Sequence, residues 1–294
     1  MAKAAHLIRD GLLALADAKV AAGASRFFRQ AYSAANDEFL GVRVPQTRAV
    51  VKEHADVIDA DAVRELLADN RHEVRLAGGI ALVSAYKAPK AMPMMFPGLS
   101  VDDARDAVVR FYLTHIAFFN NWDFVDLTAD KIVGEHLLRV HSAEIQRVCD
   151  ELEHTSKPED MEPCLSKHMP AWYGSLLSST DLWEVRISIV AMLALCRDHV
   201  AFVHIVCAWH LLRLNDGLRL SIMKAAFNSN DLIHKALGWV LRQSGKTHRA
   251  HLVKFLKHHV KISPKTTVRY ATEHFDRSDA RRYVDQARAD NKRR

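Results

Sequence analysis

Apolar positions recur at three- and four-residue spacing along almost the whole chain, and no convincing run of strict alternation interrupts them. This is the period of helices with one buried face, so the pattern predicts an all-α protein of helices roughly ten to fifteen residues long. Start signals are frequent. Pro45 opens VPQTRAVVKEH at a first-turn position, Asp102 precedes ARDAVVRFYLTHI, and Asp181 precedes LWEVRISIVAMLALC. Short polar stretches such as LADNRHE, LSSTD and RQSGKTH read as connections, which should pack neighbouring helices antiparallel. The most irregular stretch is APKAMPMMFPGLS, where Pro89, Pro93, Pro97 and Gly98 forbid a long helix. The helix–turn–helix unit returns roughly every 30–45 residues, the period of HEAT-like arrays. The expected fold is therefore a curved α-solenoid of HEAT-like helical repeats with a basic concave surface. An irregular helical bundle is the alternative.

Composition narrows the class. Of 294 residues, 49% are hydrophobic and 26% charged, the balance of an ordinary globular protein. Cys149, Cys164, Cys196 and Cys207 show no C-x-x-C pairing, which suits a reducing compartment. His6, Arg9, Asp10 and Asp17 break the N-terminal stretch, so it does not read as a signal peptide, and no uncharged run approaches a membrane span. The expected setting is cytoplasmic, with no membrane partner. Net charge is +6, but from Asp231 onward 16 Lys/Arg face 6 Asp/Glu, while the first 230 residues hold 25 against 29. Such asymmetry points to a polyanion met by the C-terminal part, with a merely solvated basic tail as the alternative.

Three stretches could carry chemistry. In FFNNWDFVD, read as a helix, Trp122 and Asp126 lie one turn apart on one face. An aromatic ring and a carboxylate so placed can grip a cationic sugar–base unit. Alternatively, Trp122 is core and Asp126 caps a helix or pairs with an arginine. In DLWEVR, Arg186 sits at the edge of the uncharged run ISIVAMLALC, where a guanidinium needs an anion, either a protein carboxylate or a phosphate. In DLIHKALGWVLRQ, Ile233, Ala236, Leu237, Val240 and Leu241 share one arc, and Lys235, Trp239 and Arg242 cluster opposite. A tryptophan between two cations suits a sugar or base flanked by phosphates. Tyr32, one turn after Phe28, reads by itself as a buried tyrosine. The 17 histidines form no H-E-x-x-H motif, and the chain has neither a phosphate-cradling glycine motif nor G-x-S-x-G. No metal or cofactor is expected.

Together these segments resemble the AlkD-like alkylpurine DNA glycosylase family, built of HEAT-like repeats, from about Arg26 to Phe275. The anchors are Tyr32 followed by Phe39-Leu40-Gly41, Pro45 and Arg48; Trp122-Asp123-x-Val125-Asp126; Trp183-x-x-Arg186; and Ile233-x-Lys235-Ala236-x-Gly238-Trp239-Val240-Leu241-Arg242. The resemblance implies that Asp126 is the catalytic carboxylate and that Trp122 and Trp239 flank the damaged nucleotide. It implies that Arg186 supports catalysis and DNA binding and that Tyr32 lies near the DNA backbone; Lys235 and Arg242, read from their placement beside Trp239, would be further DNA contacts. Relatives lacking the carboxylate bind DNA without excising bases, and this chain keeps it. Residues 1–275 would form a single HEAT-like-repeat glycosylase domain and 276–294 a basic C-terminal extension. The expected partner is double-stranded DNA containing alkylated purines, met by a monomer in a bacterial-type, nucleoid-associated setting. The alternative is a non-catalytic helical-repeat module that binds damaged or branched DNA.

The chemistry supports the same reading. Alkylation at N3 or N7 makes the purine cationic and weakens its bond to the sugar. Its departure leaves an oxocarbenium-like sugar, the species that glycoside hydrolases also stabilise with carboxylates. At an effective dielectric of 20 and a 4 Å separation, one carboxylate contributes on the order of 4 kcal/mol before desolvation. A cationic leaving group needs no protonation, so no general acid is required. The resemblance further implies that the base stays largely stacked while the enzyme works at the sugar.

Overall fold

The computed structural model describes residues 3–28, 37–153, 158–215 and 231–289. Among them every regular element is a helix, and extended pairing is limited to two isolated bridges, Glu38 with Arg71 and Pro264 with Arg288. The fold is all-α, as the apolar period predicts. The chain divides into two compact units, Met1–Ile132 and Val133–Arg294.

Unit 1 contains α1 (Lys3–Ala14), α2 (Ala18–Phe28), α3 (Val44–Glu53), α4 (Ala60–Leu67), α5 (His72–Lys87), α6 (Val101–Thr114) and α7 (Trp122–Ala129). Its centre is α5, on which α1, α3, α4, α6 and α7 all pack. The sequence HEVRLAGGIALVSAYK has almost no polar face, so the helix is buried on nearly every side. Pro45 lies in the first turn of α3, as its fixed φ favours. The cap of α6 is Ser100 and not Asp102. Its hydroxyl accepts from Asp103 N at 3.2 Å, and Asp102 lies in the first turn, where a carboxylate suits the helix dipole.

The connection expected at LADNRHE is also shorter than its polarity suggests. His72 and Glu73 belong to α5 and are buried. The Glu73 carboxylate accepts backbone N–H groups from Leu40 (2.9 Å), Gly41 (2.8 Å) and Val42 (3.2 Å), so it organises the chain entering α3. Gly41 has φ 81°, and a Cβ there would lie 2.1 Å from the Asp17 carbonyl oxygen. No other residue type fits that turn without backbone movement.

Unit 2 contains α8 (Glu135–Val140), α9 (Ser142–Glu151), α10 (Pro158–His168), α11 (Ala171–Ser178), α12 (Leu182–Val190) and α13 (Val200–Arg213). It continues with α14 (Asp231–Thr247), α15 (Arg249–His259), α16 (Lys265–Ala271) and α17 (Arg277–Gln286). Asp181 caps α12, accepting from Trp183 N at 2.8 Å and Glu184 N at 3.1 Å. The uncharged run after Arg186 is buried as expected, and it tightens into a 3-10 helix over Ala191–Leu195. At the centre lies α14, packed on α12, α13, α15 and most extensively α16. Ile233, Leu237, Val240 and Leu241 are fully buried, each contributing about 1.5–3 kcal/mol relative to exposure. RQSGKTH is mostly helix and not a connection, because α14 runs to Thr247 and buries Ser244. Residues 276–294 include α17, which packs on α16 and buries Tyr283. No helix among the described residues is long and apolar enough to cross a membrane.

Candidate functional site

In unit 1 the candidate chemistry lies on α7. Asn121, fully buried, caps this helix by accepting from Trp122 N at 2.7 Å. Phe124, Val125, Leu127 and Thr128 face inward, which leaves Trp122, Asp126 and Asp130 half-buried at successive turns of the other face. The spacing expected of Trp122 and Asp126 is therefore present. The Trp122 ring stacks on Phe28 of α2, with centroids 5.2 Å apart and planes 9° from parallel. One turn past Asp126 the backbone widens into a π-helix over Asp130–Gly134, a rare geometry that is frequent at functional sites. There Lys131 donates to Asp130 at 2.7 Å.

Behind this face sits a buried ionic network that the sequence reading missed. His72 Nε2 lies 2.7 Å from Asp123 Oδ2, and Nδ1 lies 3.2 Å from Asp37 Oδ2. Arg75 donates to Asp37 Oδ1 at 2.7 Å and to the Phe118 carbonyl at 2.7 Å, and also to the Asn120 side chain. Phe28, Phe39 and Phe124 surround the imidazole, with centroids 4.7, 4.8 and 4.7 Å away. Burial works against a charged ring, but the hydrogen bonds and charges of Asp123 and Asp37 outweigh it and hold the His72 pKa at about 9. Asp37 is held below the usual carboxylate range. Burial would raise it, and His72 and Arg75 overcome that. The signal in the sequence was the crowding of His72, Glu73 and Arg75 at the head of an apolar run, where charge is buried only if paired.

In unit 2 the expected arc of α14 is present: Lys235, Trp239 and Arg242 are half-buried and the opposite positions fully buried. Lys235 pairs with Asp231 at 2.6 Å, and Arg242 pairs with Glu273. Arg186 was expected to meet an anion. It is buried and donates at 2.5 Å to the Leu232 carbonyl in the first turn of α14, so a neutral backbone group takes part in satisfying it. That contact ties α12 to the helix bearing Trp239. Helix α14 also approaches α16 closely: a Cβ on Gly238 would lie 2.4 Å from Tyr270 Cβ and 2.7 Å from the Thr267 carbonyl oxygen. Tyr32 lies outside the described residues.

Among the described residues, Glu151, Cys164 and His168 bring donor atoms within 4.8 Å of one another, the spacing a metal ion requires. The Glu151 carboxylate already accepts from Lys167 and His168, both at 2.8 Å, and burial pushes the Cys164 thiol up to about 11.

A family model described as "DNA alkylation repair enzyme" matches residues 8–161 and 147–275. The chain belongs to this DNA alkylation repair enzyme family, which gives it a role in DNA repair with DNA as its partner. Its fold is similar to that of a predicted DNA alkylation repair enzyme from Enterococcus faecalis. The TM-score is 0.55 at 13% identity, over 89% of this chain and 97% of that one. No curated protein matches the chain.

Proposed function

We propose that this protein is a monofunctional DNA glycosylase that hydrolyses the N-glycosidic bond of cationic N3- and N7-alkylpurines in duplex DNA, without a cofactor and without fully extruding the base. The observation that carries this reading is the Trp122–Asp126 pair. It places an aromatic ring and a carboxylate one turn apart on the less buried face of α7, with the ring already stacked on Phe28. In the mechanism, Asp126 stabilises the sugar cation as the neutral base departs and positions the attacking water. Trp122 packs on the deoxyribose, and Trp239 contacts the nucleic acid from α14. Arg186 acts from beneath α14 as a support, through its bond to Leu232. Lys235 and Arg242 exchange their carboxylate partners for phosphates.

The test is release of free base from methylated duplex DNA under single-turnover conditions. The wild-type chain should release 7-methylguanine and 3-methyladenine and leave uracil and etheno-adenine in place. Asp126→Asn should keep the fold and DNA affinity while release falls by roughly 10²–10³-fold, the size of losing one preorganised electrostatic contact. Equal release by the Asn variant would remove Asp126 from the mechanism. DNA affinity with no release by wild type would instead identify a binding module.

A further inference from the structure

A neutral imidazole carries one N–H, so it can donate to only one carboxylate. His72 has a carboxylate at each ring nitrogen, Asp123 at 2.7 Å and Asp37 at 3.2 Å, and is 3% exposed. Only the imidazolium satisfies both. The neighbouring charges come from three places. Asp37 and Glu38 lie on the segment before α3, Asp123 lies on α7, and Arg71, Glu73 and Arg75 lie at the head of α5. Glu73 is turned away toward the backbone of residues 40–42, Arg71 toward Asp69, and Arg75 toward Asp37. The local balance around the ring is thus two carboxylates, Asp37 and Asp123, against His72 and Arg75.

The geometry also connects this ring to Trp122 by two routes. Through the backbone, Asp123 follows Trp122 in the first turn of α7, so fixing its carboxylate fixes that turn. Through the side chains, Phe28 lies 4.7 Å from His72 and 5.2 Å from Trp122, centroid to centroid, and supports both rings. Asp126 stands one turn farther along the same helix. Nothing in base release requires His72 to touch the substrate, and burial keeps it from doing so.

We propose that His72, held as an imidazolium between Asp37 and Asp123, is the positioning residue for the DNA-facing helix α7, setting the orientation of Trp122 and through it of Asp126. The proposal rests on the glycosylase reading for its effect on rate but not for its effect on Trp122. Loss of the proton leaves the remaining N–H on the shorter bond to Asp123 and a lone pair facing Asp37, which Arg75 still serves, so the charge-assisted hold on the first turn of α7 becomes a weaker neutral-donor bond.

The experiment follows two signals against pH in the full chain: ¹⁵N shifts of the His72 ring with the Trp122 indole N–H resonance, and the single-turnover rate of base release with enzyme-free controls at each pH. Wild type should show the indole resonance moving with His72 and the rate falling as pH passes about 9. Asp123→Asn keeps an acceptor but removes one charge, so both midpoints should move together by at least about one pH unit toward the ordinary histidine range. His72→Gln should lose the alkaline limb and lower the rate at every pH by about ten- to a hundredfold, the cost of a sub-ångström misplacement. Circular dichroism would confirm that each variant is folded at the assay temperature. An indole resonance indifferent to His72 titration would overturn the proposal. So would an alkaline limb in Asp123→Asn identical to that of wild type. If the chain releases no alkylated base at any pH, the glycosylase reading fails, and the coupled titration of His72 and Trp122 still decides the positioning claim.

Discussion

His72 in unit 1 and His210 in unit 2 are buried to the same degree, at 3% and 2% exposure, yet their environments drive them to opposite protonation states. His72 stands between two carboxylates, and its pKa rises to about 9. His210 lies 3.0 Å from the Ser188 hydroxyl, and burial, helped by the charge of Arg213, lowers its pKa to about 3. His204, opposite Ser244 at 3.0 Å, is lowered to about 3 by burial and by the neighbouring histidines 251, 259 and 248. Burial alone therefore does not set the state of a buried histidine; the charge of its partners does. Unit 1 uses a charged ring to brace a turn that Asn121 also caps, whereas unit 2 uses neutral rings hydrogen-bonded to serine hydroxyls.

The comparison predicts that the units fail at opposite ends of the pH scale. The larger effect belongs to unit 2. A histidine with a folded pKa below its unfolded value of 6.5 contributes stability above that value and loses it as pH falls toward the folded pKa. His210 and His204 therefore both remove stability from unit 2 as pH falls below 6.5, each at a rate of at most about 1.4 kcal/mol per pH unit. Unit 1 behaves in the reverse sense. The folded pKa of His72 is raised, so its contribution is full below pH 6.5 and disappears as pH rises through about 9, a loss of roughly 3 kcal/mol. Asp69, held at about 2 by bonds from Arg71 and Arg9 that overcome burial, loses its contribution only below about pH 4. Hydrogen exchange resolved by unit should show unit 2 opening first between pH 6 and 4 and unit 1 opening first above pH 9. A shared pH dependence would break the contrast. His210→Gln should make the acid limb shallower, leaving the His204 part, and should not change the alkaline limb.

The helices of both units follow from the apolar period, because side-chain burial on a 3.6-residue repeat leaves a direct trace in the sequence. The half-buried positions of Trp122, Asp126, Lys235, Trp239 and Arg242 follow the same rule. What the sequence concealed was pairing across distance. Asp37 and His72 are 35 residues apart, and His72 and Asp123 are 51 apart, so no local spacing joins them. Polar residues at the head of α5 resemble a loop because the helix buries its charges only once those partners arrive. The buried bond from Arg186 to Leu232, 46 residues away, escaped for the same reason. The family resemblance reached the residues proposed to touch DNA, and it carried no information about what lies behind them.

A second difference between the units concerns how their tryptophan-bearing helices are held. Trp122 depends on rings and charges, but Trp239 depends on close backbone approach at Gly238. Adding one methyl there meets Tyr270 Cβ and the Thr267 carbonyl oxygen, neither of which is the flexible end of a side chain. Gly238→Ala should therefore destabilise unit 2 by about 1–3 kcal/mol through overpacking, even though alanine favours helices. Denaturant unfolding would show the midpoint falling with an unchanged slope. An equal or raised midpoint would mean that α14 and α16 can separate at little cost.

The smallest expected effect tests the outer edge of α14, where unit 2 is proposed to meet phosphate. Lys235 is paired with Asp231 and Arg242 with Glu273, and both pairs are partly solvated. Such pairs contribute only about 0–1 kcal/mol, so replacing each carboxylate with a DNA phosphate costs little folding energy. Each phosphate neutralised by a cation releases condensed counterions, which makes log affinity fall with log salt in proportion to the number of contacts. Reversing Lys235 and Arg242 together to Glu should weaken binding to any duplex and reduce that slope by about 2, one for each lost contact. Trp239→Ala changes no charge, so it should leave the slope nearly intact and act on base release instead. The two variants measured on one undamaged and one methylated duplex separate these roles. An unchanged slope in the double reversal would move the phosphate surface to another basic part of unit 2, with the exposed Arg277, Arg281 and Arg282 of α17 the next group to reverse.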